Sequence, residues 1–214
     1  EAGKIKLEDP LSKYIADFPS GDKITINMLH IHRAGIPHRV MPPEMESVPV
    51  TSVEMVEKVK QAKLVFEPGT QRLYSSAGFV VLARVLEIVS GKPYAQLLKE
   101  YVFAPAEMKD SIDPEGGAVI ERRAQDYLLD ADGYRNAALK DYSFLVGGGS
   151  VYGTATDVHR FGMAMIEGKY GEAAKAAWVR DGVFSASGST NGHRAFVEIK
   201  ADKTYGFALT SNVG

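Results

Sequence analysis

The chain has 214 residues and 45% hydrophobic content, enough for a buried core in one domain or two intergrown ones. A formal net charge of −2 lacks the concentrated basic face that nucleic acid or an anionic membrane demands, so neither is expected as a partner. No apolar run reaches about 18 residues, which argues against a membrane span, and the absence of cysteine excludes disulfides and thiolate metal sites.

The first 23 residues read as a short helix or extended run that ends in the turn cluster PSGDK and leads into a strand-like KITI. Ser20 and Lys23 satisfy a Ser-x-x-Lys spacing. Catalysis by such a pair needs the first turn of a buried helix to stack lysine beside serine, whereas Gly21-Asp22 make a turn, so the pair is set aside. In TINMLHIHRAGIPH, His30, His32 and His38 lack the carboxylate or cysteine partners of a metal site, and no metal is assigned. Residues 40–49, rich in proline and methionine, read as a loop, and Thr51 to Glu54 as a capping box opening a helix to Ala62.

Pro68-Gly69 is a turn pair, because proline presets φ and glycine accepts a positive one. From Ala77 onward Val80, Val81, Leu82, Val85, Leu86, Ile88 and Val89 recur at spacings of three and four, the pattern of a mostly buried helix, with Gly91 ending it. Either Ser75 or Ser76 serves as its N-cap. Tyr74 is thereby left on a loop between a turn and a rigid element, as a half-buried phenol with a bonded hydroxyl or as a group facing a cleft. Lys92-Pro93 starts a further helix to Phe103, with Leu97, Leu98, Tyr101 and Val102 as its core side, and Met108 reads as core filler.

Residues 124–138 form a hairpin pattern turning at Asp132-Gly133, whose aspartates lack the acids an EF-hand needs at Leu128 and Leu139. Gly147-Gly148-Gly149 has no Gly-Lys-Ser ending, so a close backbone approach is expected there and no phosphate cradle. Thr154 to Asp157 read as a second capping box, ahead of a helix face of Val158, Phe161, Met165 and Ile166 that ends near Gly168. Residues 184–200 pair with residues 205–213 in a terminal hairpin, with His193 facing solvent.

Four stretches, in order, carry a family resemblance. FEPGTQRLYSSAGFVVLARVLEIVSGKPYAQLLKEYVFAPAEMKDS resembles the segment around the Tyr-x-Asn motif of class C β-lactamases, D-alanyl-D-alanine carboxypeptidases and β-lactamase-like esterases. TINMLHIHRAGI, VGGGSVYGTATDVHRFGMAMIEG and SASGSTNGHRAFVEI are similar to that family's histidine-glycine turn, its glycine-rich entry into a late helix and its His-x-Gly or Lys-Thr-Gly strand. The resemblance implies an α/β (α+β) fold of the two-lobed penicillin-binding type, a helical lobe with a sheet flanked by helices. It assigns residues 1–39 to a connector and turn, 40–176 to a mainly helical lobe and 177–214 to strands of an incomplete antiparallel sheet.

The resemblance also places the family's Ser-x-x-Lys nucleophile roughly 15 to 20 residues upstream of EAGKIKLEDPLSKYI, so the chain is expected to be an internal fragment, or else a natural short homologue. By the same resemblance Tyr74 is catalytic, Ser76, Gly188 and Ser189 contact substrate, and the substrate is a small-molecule ester or amide cleaved through an acyl-enzyme with no cofactor. Two positions depart from the family: Ser76 stands where asparagine is usual, and Ala186 where a histidine or lysine is usual. A hydroxyl does not offer the separate donor and acceptor of an amide, which leans the reading toward an esterase or broad peptidase-like hydrolase. With the lysine outside these residues the fragment itself is expected to be inactive; the alternative is a non-catalytic homologue using its cleft for binding or assembly. The periplasm or cell exterior is the compartment the resemblance implies.

Overall fold

Thr25 decides the first element. In the computed structural model, which describes residues 3–114 and 116–214, Thr25 is extended at φ −95° and ψ 161°, bridges Pro10 antiparallel and accepts the Met28 N–H with its side chain, so KITI ends in a single β-bridge and a cap, short of a full strand. Helix α1, Ile26–His30, follows, and its Ile26 and Leu29 are buried, as are Leu11 and Ile24 before it. A threonine N-cap requires the same extended backbone as a strand residue, so one residue serves both. The expected turn at 20–23 is present, with the Lys23 N–H bonded to the Ser20 carbonyl at 2.9 Å. The first two residues of the expected N-terminal run, and Glu115, lie outside the described residues.

The chain divides into two compact units, and Glu1–Tyr94, Glu115–Ala118 and Lys140–Ser150 make up the first. Within it α2, Ser52–Gln61, opens on the expected capping box: Thr51 accepts the Glu54 N–H at 3.2 Å and Glu54 accepts the Thr51 N–H at 2.7 Å. Met55, Val56 and Val59 bury its inner face. Thr51→Ala is expected to lower stability by about 1 kcal/mol, read by urea unfolding; an unchanged midpoint would mean the cap contributes nothing. Helix α3, Ser76–Ser90, is capped by Ser75 and closed by Gly91 at φ 71°. Val80, Val81, Ala83 and Val85 are buried, while Leu86 and Ile88 of the expected apolar face are 40% and 42% exposed.

Helix α4, Tyr94–Leu98, runs into a π-helical turn, Lys99–Phe103, where the Ala104 N–H reaches back five residues to Lys99. The wider turn rotates the register, so Phe103 is buried and Tyr101 is 62% exposed, which overturns the core side expected at Tyr101.

The second unit comprises Ala95–Pro114, Val119–Leu139 and Val151–Gly214. Strands β1, Tyr127–Asp130, and β2, Gly133–Asn136, form the expected hairpin, but Asp130 pairs with Gly133, so the connecting residues are Ala131-Asp132. A four-stranded antiparallel sheet follows chain order: β3 (Val179–Arg180), β4 (Val183–Thr190), β5 (His193–Lys200) and β6 (Gly206–Ser211). The single strand expected over 184–200 is thus two strands folded at Asn191-Gly192, with Thr190 opposite His193. Asn-Gly between extended runs is a two-residue hairpin turn, and Gly192 takes the positive φ of 88° that it requires.

Helix α5, Ala155–Ile166, covers one face of this sheet. Its Met165 and Ile166 share a buried cluster with Phe184, Val197 and Ile199, against which Val158 and Phe161 also pack. Gly162 lets the helix approach closely, since a Cβ there would lie 3.0 Å from both Ile199 and Val197. Thr154 caps α5 as expected, but Asp157 does not complete a capping box. Its carboxylate turns inward to accept the Asp110 N–H at 2.7 Å, the Ser111 hydroxyl at 2.9 Å and the Arg160 guanidinium at 3.0 Å. The alanine-rich helix α6, Glu172–Trp178, precedes β3.

Candidate active site

Tyr74 lies on an extended loop immediately before α3, 54% exposed, with no hydrogen-bond partner for its hydroxyl among the described residues. The loop is held from the other side by residues 32–38. The Leu73 N–H bonds to the His32 carbonyl at 3.0 Å, the Ser75 N–H to His32 Nδ1 at 3.2 Å and the Ser75 hydroxyl to the Pro37 carbonyl at 2.9 Å. One residue on, the Ser76 N–H bonds to His38 Nδ1 at 3.3 Å and the Ala77 N–H to the His38 carbonyl at 3.2 Å. The Gly78 N–H bonds to Ser75 Oγ at 2.8 Å. Every donor in the first turn of α3 is therefore satisfied, and the loop's exit is fixed in register with 32–38.

Side-chain packing adds to this clamp. The Tyr74 ring lies between two imidazoles, with centroids 4.6 Å from His32 and 5.2 Å from His38. Phe79 contacts His32 from behind at 5.1 Å. Burial, reinforced by the nearby Arg72, His30 and His38, pushes the His32 pKa below its ordinary 6.5. Burial and then Arg39 do the same for His38. Both rings are thus neutral at neutral pH. Since each Nδ1 accepts a backbone N–H, the ring proton sits on Nε2.

The histidines, to which the sequence assigns no metal, are here hydrogen-bond acceptors at His32 and His38, a role that for His38 goes unrecognised in the sequence. Its partner lies 38 residues downstream, and a spacing of six inside a loop has no periodicity to betray it. Ser76 is 6% exposed, and the Gly148 backbone lies so close that a Cβ there would be 3.3 Å from Ser76 Cβ. The close approach expected at Gly147-Gly148-Gly149 is thus an approach to α3.

In the second unit, Gly188 and Ser189 lie on β4 opposite Ala195 and Arg194, both exposed, and a Cβ on Gly188 would meet nothing within 4 Å. Ala186, opposite Val197, packs on the buried cluster of Met165, Phe184 and Ile199. His193 does not face solvent freely: its Nε2 lies 2.7 Å from the Asp126 carboxylate, which is 4% exposed and has Arg123 at 3.6 Å. The Gly192 backbone also lies close to Asp126, whose Cβ would be 2.7 Å from an added Cβ there.

A tyrosine loop that opens a buried helix, together with an antiparallel sheet covered by a helix and bearing a Gly-Ser strand, is the α+β fold of serine β-lactamases and penicillin-binding proteins. The family model described as Beta-lactamase matches residues 1–213, and the chain belongs to that family. It is 29% identical over 169 residues to the putative penicillin-binding protein PbpX of Bacillus subtilis (strain 168), covering 79% of this chain and 42% of that one. It is 38% identical over 120 residues to the D-alanyl-D-alanine-carboxypeptidase/endopeptidase AmpH of Escherichia coli (strain K12), covering 52% of this chain and 31% of AmpH. The chain thus spans less than half the length of these curated relatives. Among solved structures, the D-amino acid amidase of Ochrobactrum anthropi SV3 complexed with D-phenylalanine superposes with a TM-score of 0.85 at 21% identity, over 99% of this chain and 71% of the amidase.

Proposed function

We propose that the protein is a β-lactamase-like serine hydrolase that transfers the acyl group of a small-molecule ester or amide to a serine and then to water. The observation that carries this reading is Tyr74: an exposed phenol, unpartnered among the described residues, fixed at the entrance of α3 by a neutral two-histidine clamp. In the proposed cycle a serine oxygen bonds to the substrate carbonyl carbon and passes its proton through Tyr74 to the leaving oxygen or nitrogen as that bond breaks. Water then hydrolyses the acyl-enzyme ester and regenerates the serine. Ser76 on α3, and Gly188 with Ser189 on β4, are the proposed substrate-binding residues, the Ser189 N–H as an oxyanion donor.

Ser20 and Lys23 do not supply the nucleophile pair in this reading, because Ser20 takes φ 57° and the two residues form a turn. The proposal accordingly requires a Ser-x-x-Lys helix beyond these 214 residues and holds that they are inactive alone. It is tested with a chromogenic ester and a D-amino acid amide on the protein at its natural length. Tyr74→Phe is expected to lower kcat about a hundredfold with an unchanged circular dichroism spectrum. Equal turnover by the variant, or turnover by the 214 residues alone, would contradict the assignment.

Ala186 favours a second reading, a homologue that binds without turnover, because an apolar residue packed on the core replaces the cation usual in the family. A fluorescent β-lactam separates the two, since only an intact serine nucleophile retains it covalently through denaturation.

A further inference from the structure

We propose that His32 and His38 are positioning residues that switch Tyr74: their unprotonated Nδ1 atoms hold the Ser75 and Ser76 amides, and a proton on either imidazole releases the tyrosine loop. The proposal rests on Tyr74 as the catalytic group and adds how that group is held and when it is let go.

The geometry leaves each Nδ1 a single role. A protonated imidazole carries a hydrogen on both nitrogens, so the Nδ1 that now accepts the Ser75 or Ser76 N–H at 3.2 or 3.3 Å would turn donor against donor. Each amide would then be left inside the protein without its partner, and the loop would give way to reach water. His32 is also held at φ 62°, a left-handed conformation unfavourable for a side-chain-bearing residue, and its Nδ1 bond is one of the contacts that holds it there. The phenol packs against the two rings, and among the described residues its hydroxyl has no hydrogen-bond partner, so its direction depends on the rings staying in place.

The surroundings push the same way. Arg72, His30 and His38 face His32, and Arg39, whose guanidinium lies 3.6 Å from the buried Glu46 carboxylate, faces His38. The other residues around His38, Met41, Met55, Ala77, Phe144 and Leu145, carry no charge. Added positive charge at either ring is thus opposed first by burial and then by arginine. Because the folded-state pKa of each histidine lies below the unfolded value, their contribution to stability is fully present above 6.5 and is lost as pH falls through the lowered folded values. The clamp is closed at neutral pH and opens in acid.

The test reads the clamp itself, so it stands or falls independently of hydrolysis. In nuclear magnetic resonance of the protein with ring-labelled histidines, both imidazoles should be Nε2–H tautomers at neutral pH. On acidification the protection factors of the Ser75 and Ser76 amides should fall by at least about tenfold, with the same midpoint as the imidazoles. Asparagine accepts through its side-chain oxygen, tolerates φ above zero and does not titrate. His32→Asn and His38→Asn should therefore keep the protection and abolish the acid step, whereas His38→Ala should lose the protection at every pH. Nδ1–H tautomers, amides that stay protected while the rings titrate, or an acid step that persists in both asparagine variants would each overturn the proposal. If hydrolysis is absent while the amides behave as stated, the clamp stands and the catalytic reading of Tyr74 fails. If Tyr74→Phe abolishes hydrolysis while the amides ignore pH, the reverse holds.

Discussion

Asp157→Ala should destabilise the protein by about 3 kcal/mol, while Asp157→Asn costs about 1 kcal/mol. The carboxylate is fully buried and divides its work between two oxygens. Oδ2 accepts the Asp110 N–H and the Ser111 hydroxyl, and Oδ1 accepts from Arg160, whose side chain is 38% exposed. Alanine would leave the amide and hydroxyl unsatisfied in a space that only a carboxylate-sized group fills. Asparagine can place its oxygen where Oδ2 stands and keep both buried bonds, while its amide nitrogen displaces an arginine that water can serve. Urea unfolding followed by circular dichroism measures both. Equal losses would mean that the Arg160 pair, and not the tie to residues 110–111, is what Asp157 provides.

That tie also shows where sequence reading stops. Thr51 with Glu54, Ser75 before α3, Gly91 after it and Thr154 before α5 are legible because a cap is a local event, settled within one helical turn. Thr154 and Asp157 have the same spacing as Thr51 and Glu54, yet Asp157 bonds residues 46 and 47 positions away, and nothing at that spacing distinguishes the two cases. Thr25 is legible in part: its backbone is as extended as the strand-like KITI predicts and bridges Pro10, while its side-chain bond also makes it the cap of α1. Tyr101 and Phe103 exchange burial because one turn closes over five residues instead of four, a shift of register that a fixed period of 3.6 does not anticipate.

For the candidate site the division is similar. Tyr74 is marked by its place between a turn pair and a capped apolar helix, and family resemblance turns that place into a role. The clamp that holds it is non-local, joining residues 32–38 to residues 73–77, and so escapes any window reading. Asn191-Gly192, by contrast, is open to local reading, since the dipeptide between two extended runs signals a hairpin turn.

Gly147→Ala is expected to cost about 3 kcal/mol and to disturb the tyrosine loop as well as the fold. The residue takes φ 77°, and an added Cβ would stand 2.6 Å from the Phe79 carbonyl oxygen and 2.8 Å from Ala83 Cβ. Neither neighbour can yield cheaply, because Phe79 and Ala83 are backbone-locked in α3, and Ala83 is buried. The relief is to push α3 away from the glycine run, and α3 begins at Ser76, whose carbonyl already lies 3.1 Å from the Cβ position of Gly148. Gly91→Ala is the control: at φ 71° it has comparable backbone strain but nothing within 4 Å, so about 1 kcal/mol is expected. Thermal unfolding gives the stabilities, and the protection factors of the Ser75 and Ser76 amides report the loop. Gly147→Ala should lower both and Gly91→Ala only the first. Matching losses in the two variants would assign the whole effect to backbone strain, and the glycine run would then have no part in setting where α3, and Tyr74 with it, begins.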